Sequence, residues 1–236
     1  LIGVMIYHGY IGYMPPVEGF SIHEDRFASR LFTSDGVEMG RFYQSRNNRV
    51  YADYSEISPN VINALIATED ERFMQHSGID IMALREVLFK TILLRQKNAG
   101  GGSTITQQLA KQLYSPESEA DGPIHSETRG VGHRVKLERY YNEEEIIKMY
   151  LNQFDFLNNA VGIKTAATYF NTTPDSLKIE QAAMLVGMAK NPSLYNPVRA
   201  DRKDARGRRN VVLQQMLKAD LITEAECDSL CALPLD

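Results

Sequence analysis

The chain has 236 residues, 43% of them hydrophobic and 24% charged, enough to bury the core of one domain or of one domain with two lobes. Its formal net charge of −4 supplies no basic field, which excludes a general nucleic-acid binder. The two cysteines, Cys227 and Cys231, are too few for a disulfide framework, and no histidine stands near them in sequence to complete a metal site.

Taken in chain order, the opening stretch from Leu1 to Met14 is moderately apolar but short, and His8 and several glycines interrupt it, so it is not a complete membrane span. It also lacks a basic n-region and a small-residue cleavage site. Residues 1–27 are read as a membrane-proximal segment, the remnant of an anchor. Strand signals follow over residues 28–57. Ser34-Asp35-Gly36 is a turn between two apolar runs and predicts a β-hairpin. A second turn at Arg46-Asn47-Asn48-Arg49 leads into Val50-Tyr51.

From Ser58 onward the pattern is helical. Ser58-Pro59 reads as an N-cap followed by proline in the first turn, and Val61, Ile62, Leu65, Ile66 and Phe73 recur at helical spacing. Further helices are predicted over residues 82–94, 104–113, 143–153, 161–169 and 179–189. Asn142 with Glu145, and Thr223 with Glu226, form capping-box signatures. Residues 115–132 are rich in glycine and proline and read as loop, as do 191–197. Residues 200–231 predict two helices, the first carrying Arg202, Lys203, Arg206, Arg208 and Arg209. That basic run suits acidic lipid or phosphate, or a solvated helix face. If the last stretch is helical, Cys227 and Cys231 lie one turn apart as small half-buried residues.

Two constellations carry chemistry. Projected at about 100° per residue, Glu69 falls in the same arc as Ile62, Ile66 and Phe73, with Asp70 at the margin. A carboxylate on the apolar side of a helix is held either as a proton acceptor in a cleft or as a buried structural group with its own partners; position alone leaves both open. The second constellation is Gly100-Gly101-Gly102-Ser103-Thr104-Ile105-Thr106-Gln107-Gln108-Leu109-Ala110-Lys111. Glycines admit close backbone approach, and a helix N-terminus favours anions. Thr104, Gln107, Gln108 and Lys111 project to one face, a set suited to a pyrophosphate flanked by sugars. The lysine does not follow the glycine directly, so the stretch is not a P-loop.

Together these stretches resemble the first two motifs of the family 51 glycosyltransferases, the peptidoglycan polymerase domains of class A penicillin-binding proteins and monofunctional transglycosylases. Glu69-Asp70, Phe73, His76, Gly78 and Asp80 match the first motif. Gly101 through Leu109, with Lys111, match the second. Glu145-Ile146-Ile147-Lys148-Met149-Tyr150-Leu151-Asn152 resembles the fourth, and Gly162 with Ala166-Ala167-Thr168-Tyr169-Phe170 the fifth. The likeness runs in order over residues 52–197.

The resemblance implies a mainly α, lysozyme-like, two-lobed helical fold with a small N-terminal β-hairpin region. It implies a peptidoglycan glycosyltransferase domain over residues 28–200 that polymerises lipid II, with Glu69 as the base. His76, Gly102, Ser103, Thr104, Gln107, Gln108, Lys111, Asn152 and Asp70 would bind substrate, and Asp70 would help hold a divalent cation, magnesium or manganese. Residues 201–236 would be C-terminal helices leading toward a transpeptidase domain or partner, whose Ser-x-x-Lys and Lys-Thr-Gly motifs are absent here. The implied partners are lipid II, the nascent glycan chain and the membrane surface, on the extracytoplasmic (periplasmic) face of the inner membrane.

The third motif departs from the family. Counting back from Leu137-Glu138 places Gly130 where a second catalytic Glu belongs and Ser126-Glu127 where Arg-Lys belongs. Glycines within a helix cost about 1 kcal/mol each relative to alanine, so the expected helix starts later. Either Glu127 supplies the carboxylate from a shifted loop with Arg129 and Arg134 as the basic pair, or the segment yields an impaired domain that binds lipid II, or the second Glu is dispensable. A glycan-cleaving, lysozyme-like enzyme is the nearest alternative, but the glycine-rich turn and Lys111 count against it.

Overall fold

The computed structural model describes residues 29–36, 38–42, 50–75, 104–114, 137–138, 140–156, 160–197 and 203–235. The described part is mainly helical, with one small hairpin. The chain divides into two compact units, one formed by Leu1–Ile22 with Glu69–Tyr150 and the other by His23–Thr68 with Leu151–Asp236. The expected anchor segment, the helix over 82–94 and the loop over 115–132 lie outside the described residues.

The hairpin forms where the sequence places it. Strand β1 (Ser29–Phe32) pairs antiparallel with β2 (Glu38–Phe42), with an irregularity between Leu31 and Phe32. The Gly36 N–H donates to the Thr33 carbonyl at 3.0 Å, and Gly36 sits at φ +83°, a backbone conformation that glycine reaches without a Cβ clash. The strand signal expected at Val50-Tyr51 is not realised. The backbone of Ala52 instead meets the side chain of Asn152: its N–H donates to Oδ1 and its carbonyl accepts from Nδ2, both at 2.9 Å. An amide side chain thereby takes the place of a strand partner.

Helix α1 (Pro59–Glu69) starts at Ser58, whose Oγ accepts from the Asn60 N–H at 3.3 Å and donates to the Leu177 carbonyl at 3.0 Å. The Ser58 N–H donates to the Pro174 carbonyl. This ties the start of α1 to the 3-10 turn Pro174–Ser176. Helix α2 (Ile105–Tyr114) buries Ile105, Thr106, Leu109 and Ala110. Helix α3 (Glu143–Gln153) begins with the predicted capping box, Asn142 and Glu145 exchanging backbone and side-chain bonds at 2.9 Å. In both cases local chemistry visible in sequence satisfies the orphan donors of a helix start.

The segment expected as one helix over 161–169 is divided into α4 (Ile163–Ala166) and a 3-10 turn, Ala167–Phe170, which Asn171 ends in a left-handed conformation at φ 50°. Helix α5 (Ile179–Ala189) is buried from Ala182 through Met188. Helix α6 (Lys203–Lys218) packs on it and buries Ala205, Val212, Leu213 and Met216, and α7 (Glu224–Ala232) packs on α6. The C-terminal helices therefore share the compact unit of α4 and α5. Among the described residues, no helix is long and apolar enough to cross a membrane.

Three arginines of the basic run, Arg206, Arg208 and Arg209, donate to backbone carbonyls. Arg209 is 1% exposed. Its guanidinium donates to the carbonyls of Cys231, Leu233 and Pro234 and to Asn210 Oδ1. Arg206 donates to the carbonyls of Cys231 and Ala232, and Arg208 to that of Gly187. Arg206 and Arg209 thereby satisfy the carbonyl end of α7, where the helix dipole is negative.

Candidate active site

The first and second motifs meet in one unit. Glu69 is the last residue of α1, half-buried. The buried stripe of the helix is Val61, Ala64, Leu65 and Ala67, so Ile62 and Ile66 flank the core rather than form it. The predicted continuation to Phe73 is also corrected. Phe73 lies in a separate 3-10 turn, Phe73–Gln75, with its N–H donating to the Asp70 carbonyl at 2.9 Å. A carboxylate at a helix C-terminus faces the negative end of the dipole and needs a donor. Gln108 of α2 supplies one: its Nε2 donates to Glu69 Oε2 at 2.6 Å.

Gln108 is itself held. The Tyr150 hydroxyl, from α3, donates to Gln108 Oε1 at 3.1 Å, and Tyr150 is 1% exposed. Burial, and then the nearby charge of Glu69, push the Tyr150 phenol well above its ordinary value. It stays a neutral hydroxyl across physiological pH.

The start of α2 is built from two expected ligand residues. Asp70 Oδ2 accepts from the Ile105 N–H at 3.3 Å, and Asp70 is 7% exposed. Thr104 is buried and its Oγ1 accepts from the Gln107 N–H at 3.2 Å. Both groups serve the unpaired donors and positive end of the α2 N-terminus. Thr106 Oγ1 donates to Glu138 Oε1, anchoring the residue that marks the end of the third motif. The predicted polar face thus grades outward, from buried Thr104 through half-buried Gln107 and Gln108 to exposed Lys111.

Asn152 also has a partner within the fold. It is 2% exposed, and its amide holds the backbone of Ala52 from both sides. Gly162 backs this clamp: it adopts φ +83°, and a Cβ there would lie 2.9 Å from the Asn152 carbonyl oxygen. His76, Gly102, Ser103, Glu127, Arg129 and Arg134 lie outside the described residues.

The expected cation ligand, Asp70, already serves a helix start, and among the described residues no three of His, Cys, Asp or Glu converge on a metal position. Sequence reading missed Tyr150, quoted within the fourth motif without a role. The available signal was a hydroxyl placed among the apolar residues Ile146, Ile147 and Met149, where a buried tyrosine needs a partner.

The site thus joins a carboxylate at the end of α1 to the side chain of Gln108 on α2, within a mainly helical scaffold. The family described as Transglycosylase matches residues 35–217, and the chain belongs to that family. It is 37% identical over 193 residues to penicillin-binding protein 2a of Streptococcus pneumoniae, covering 81% of this chain and 25% of that protein. It is 37% identical over 205 residues to penicillin-binding protein 1A/1B of Bacillus subtilis, covering 85% of this chain and 21% of that protein. A crystal structure of penicillin-binding protein 1A from Haemophilus influenzae aligns with a TM-score of 0.49 and 20% identity, over 88% of this chain and 20% of that one. The chain thus spans about a quarter of the length of the relatives it matches.

Proposed function

We propose that this chain is a peptidoglycan glycosyltransferase that polymerises lipid II, with Glu69 as general base. Glu69 takes the proton from the acceptor's sugar hydroxyl as that oxygen attacks the anomeric carbon of the growing chain. The new glycosidic C–O bond forms, the bond from the anomeric carbon to the lipid pyrophosphate breaks, and the configuration inverts. A positioned base of this kind contributes about 10²- to 10⁴-fold in rate. Lys111 and Gln107 would meet the departing pyrophosphate with charge and donors. Magnesium ordinarily takes one or two protein carboxylates beside substrate phosphates, so the divalent cation belongs to this proposal as a counter-ion carried by the pyrophosphate, and no step passes through it.

The observation that carries the reading is the 2.6 Å bond from Gln108 to Glu69, which joins the two family motifs at one carboxylate. The relatives are named penicillin-binding proteins. We infer that the chain works at the extracytoplasmic membrane surface, on a lipid-linked substrate, beside a penicillin-sensitive transpeptidase that uses its glycan strands. Incubation with lipid II and, separately, with finished peptidoglycan tests the activity. Glycan chain growth is expected; cleavage of the finished polymer without growth overturns the reading, and binding of lipid II without turnover points to the impaired domain that the altered third motif suggests.

A further inference from the structure

We infer that Tyr150 is a positioning residue for the proposed base, acting on Glu69 through Gln108. The inference rests on the reading of Glu69 given above. A glutamine amide has a donor end and an acceptor end that can exchange places by a half-turn. A carboxylate only accepts, so Glu69 as a base requires the NH2 end, and the acceptor end must find a donor elsewhere. The Tyr150 hydroxyl is that donor, at 3.1 Å from Oε1.

The hydroxyl has a second property that phenylalanine lacks: it can accept as well as donate. Once Glu69 holds the proton, its O–H becomes a donor. The Gln108 amide can then turn, presenting Oε1 to Glu69 and NH2 to the Tyr150 oxygen. Each group keeps a partner in both protonation states, which matters because an unpaired buried polar group is costly. Tyr150 is placed for this rather than for substrate contact. It is buried on α3, with burial holding its phenol protonated, and it reaches Glu69 through the Gln108 amide.

The test is lipid II polymerisation by the purified chain carrying Tyr150→Phe, Gln108→Met, the two together, and Glu69→Gln. Tyr150→Phe should lower kcat about tenfold with KM changed less than about twofold, the pattern of an interaction that matters in the transition state. The double variant should be no slower than Gln108→Met alone, because the two residues act as one unit. Wild-type kcat in Tyr150→Phe, or losses that multiply in the double variant, overturns the inference. Glu69→Gln separates the two proposals: if it retains activity the base assignment fails, whereas an inactive Glu69→Gln beside a fully active Tyr150→Phe removes only the role of Tyr150. A second measurement needs no change at Tyr150. With tyrosine labelled at Cζ, the Tyr150 carbon resonance should shift when Gln108→Met is introduced, and an unmoved resonance counts equally against the inference.

Discussion

Gln108 Nε2 lies 2.6 Å from Glu69 Oε2, linking the carboxylate that ends α1 to helix α2. Because the donor is an amide and not a cation, it orients the carboxylate without neutralising it. Glu69→Gln should therefore lower lipid II polymerisation by about 10²- to 10⁴-fold while leaving thermal unfolding nearly unchanged, since an amide pair can replace the amide–carboxylate bond. Measured rates and melting curves together check this: an active variant removes Glu69 from the chemistry, and an unfolded one assigns it to the scaffold.

Asp70 should behave in the opposite way. Its carboxylate accepts the first N–H of α2, so Asp70→Ala should destabilise the protein by about 1–2 kcal/mol, the usual loss at a helix N-terminus. Asp70→Asn keeps an acceptor and should lose less. Urea unfolding of the two variants gives the comparison, and equal losses would mean that the helix contact is not what Asp70 contributes.

Asn152 and Gly162 make a paired prediction. Asn152→Ala leaves the buried N–H and carbonyl of Ala52 without their partner, a loss of about 2–4 kcal/mol. Gly162→Ala forces a side chain onto a positive-φ backbone, costing about 1–3 kcal/mol, and drives a Cβ to 2.9 Å from the Asn152 carbonyl oxygen. Both variants should melt at lower temperature. At a temperature where Asn152→Ala is still folded, its KM for lipid II should be that of the parent; a raised KM would return Asn152 to the substrate site.

Much of the scaffold was legible in the sequence because it is written in local chemistry. The capping boxes at Asn142 and Thr223 appear as their spacing predicts, and the Ser34-Asp35-Gly36 turn joins the two strands. What escaped was long-range pairing. Asn152 is 100 residues from Ala52, and no periodicity shows that an amide will replace a strand there. The same holds for Arg209, whose charge suggested an anionic ligand or a solvated face, while it reaches carbonyls more than twenty residues on. In the site, the sequence identified Glu69, Asp70, Thr104 and Gln108, but not the intramolecular partners that the fold gives them. Helix projection gives a direction for each side chain and is silent on which backbone groups wait there to be satisfied.

The C-terminal cysteines lead to a pH prediction. Cys227 and Cys231 Sγ atoms lie 3.9 Å apart. Burial first, then the hydrogen bond and charge of Cys231, push the Cys227 thiol from 9.0 up to about 11. A thiol whose value is raised on folding contributes stability that is present below 9.0 and lost as pH climbs through about 11. Stability should therefore fall over that interval, and Cys227→Ser should flatten the fall. In the folded protein at about pH 8, iodoacetamide should modify Cys231 before Cys227, since the thiolate is the reactive form. Preferential modification of Cys227, located by peptide mass, would contradict this.

The grip of α6 on the end of α7 has a mechanical consequence. Arg206, Arg209 and Asn210 together hold the carbonyls of Cys231, Ala232, Leu233 and Pro234. A pull along the chain at Leu235 loads these bonds side by side, in shear, and does not peel the last helix open one turn at a time. Tension arriving there would pass through the guanidinium of Arg209 into α6, and from α6 to the buried helix α5 on which it packs.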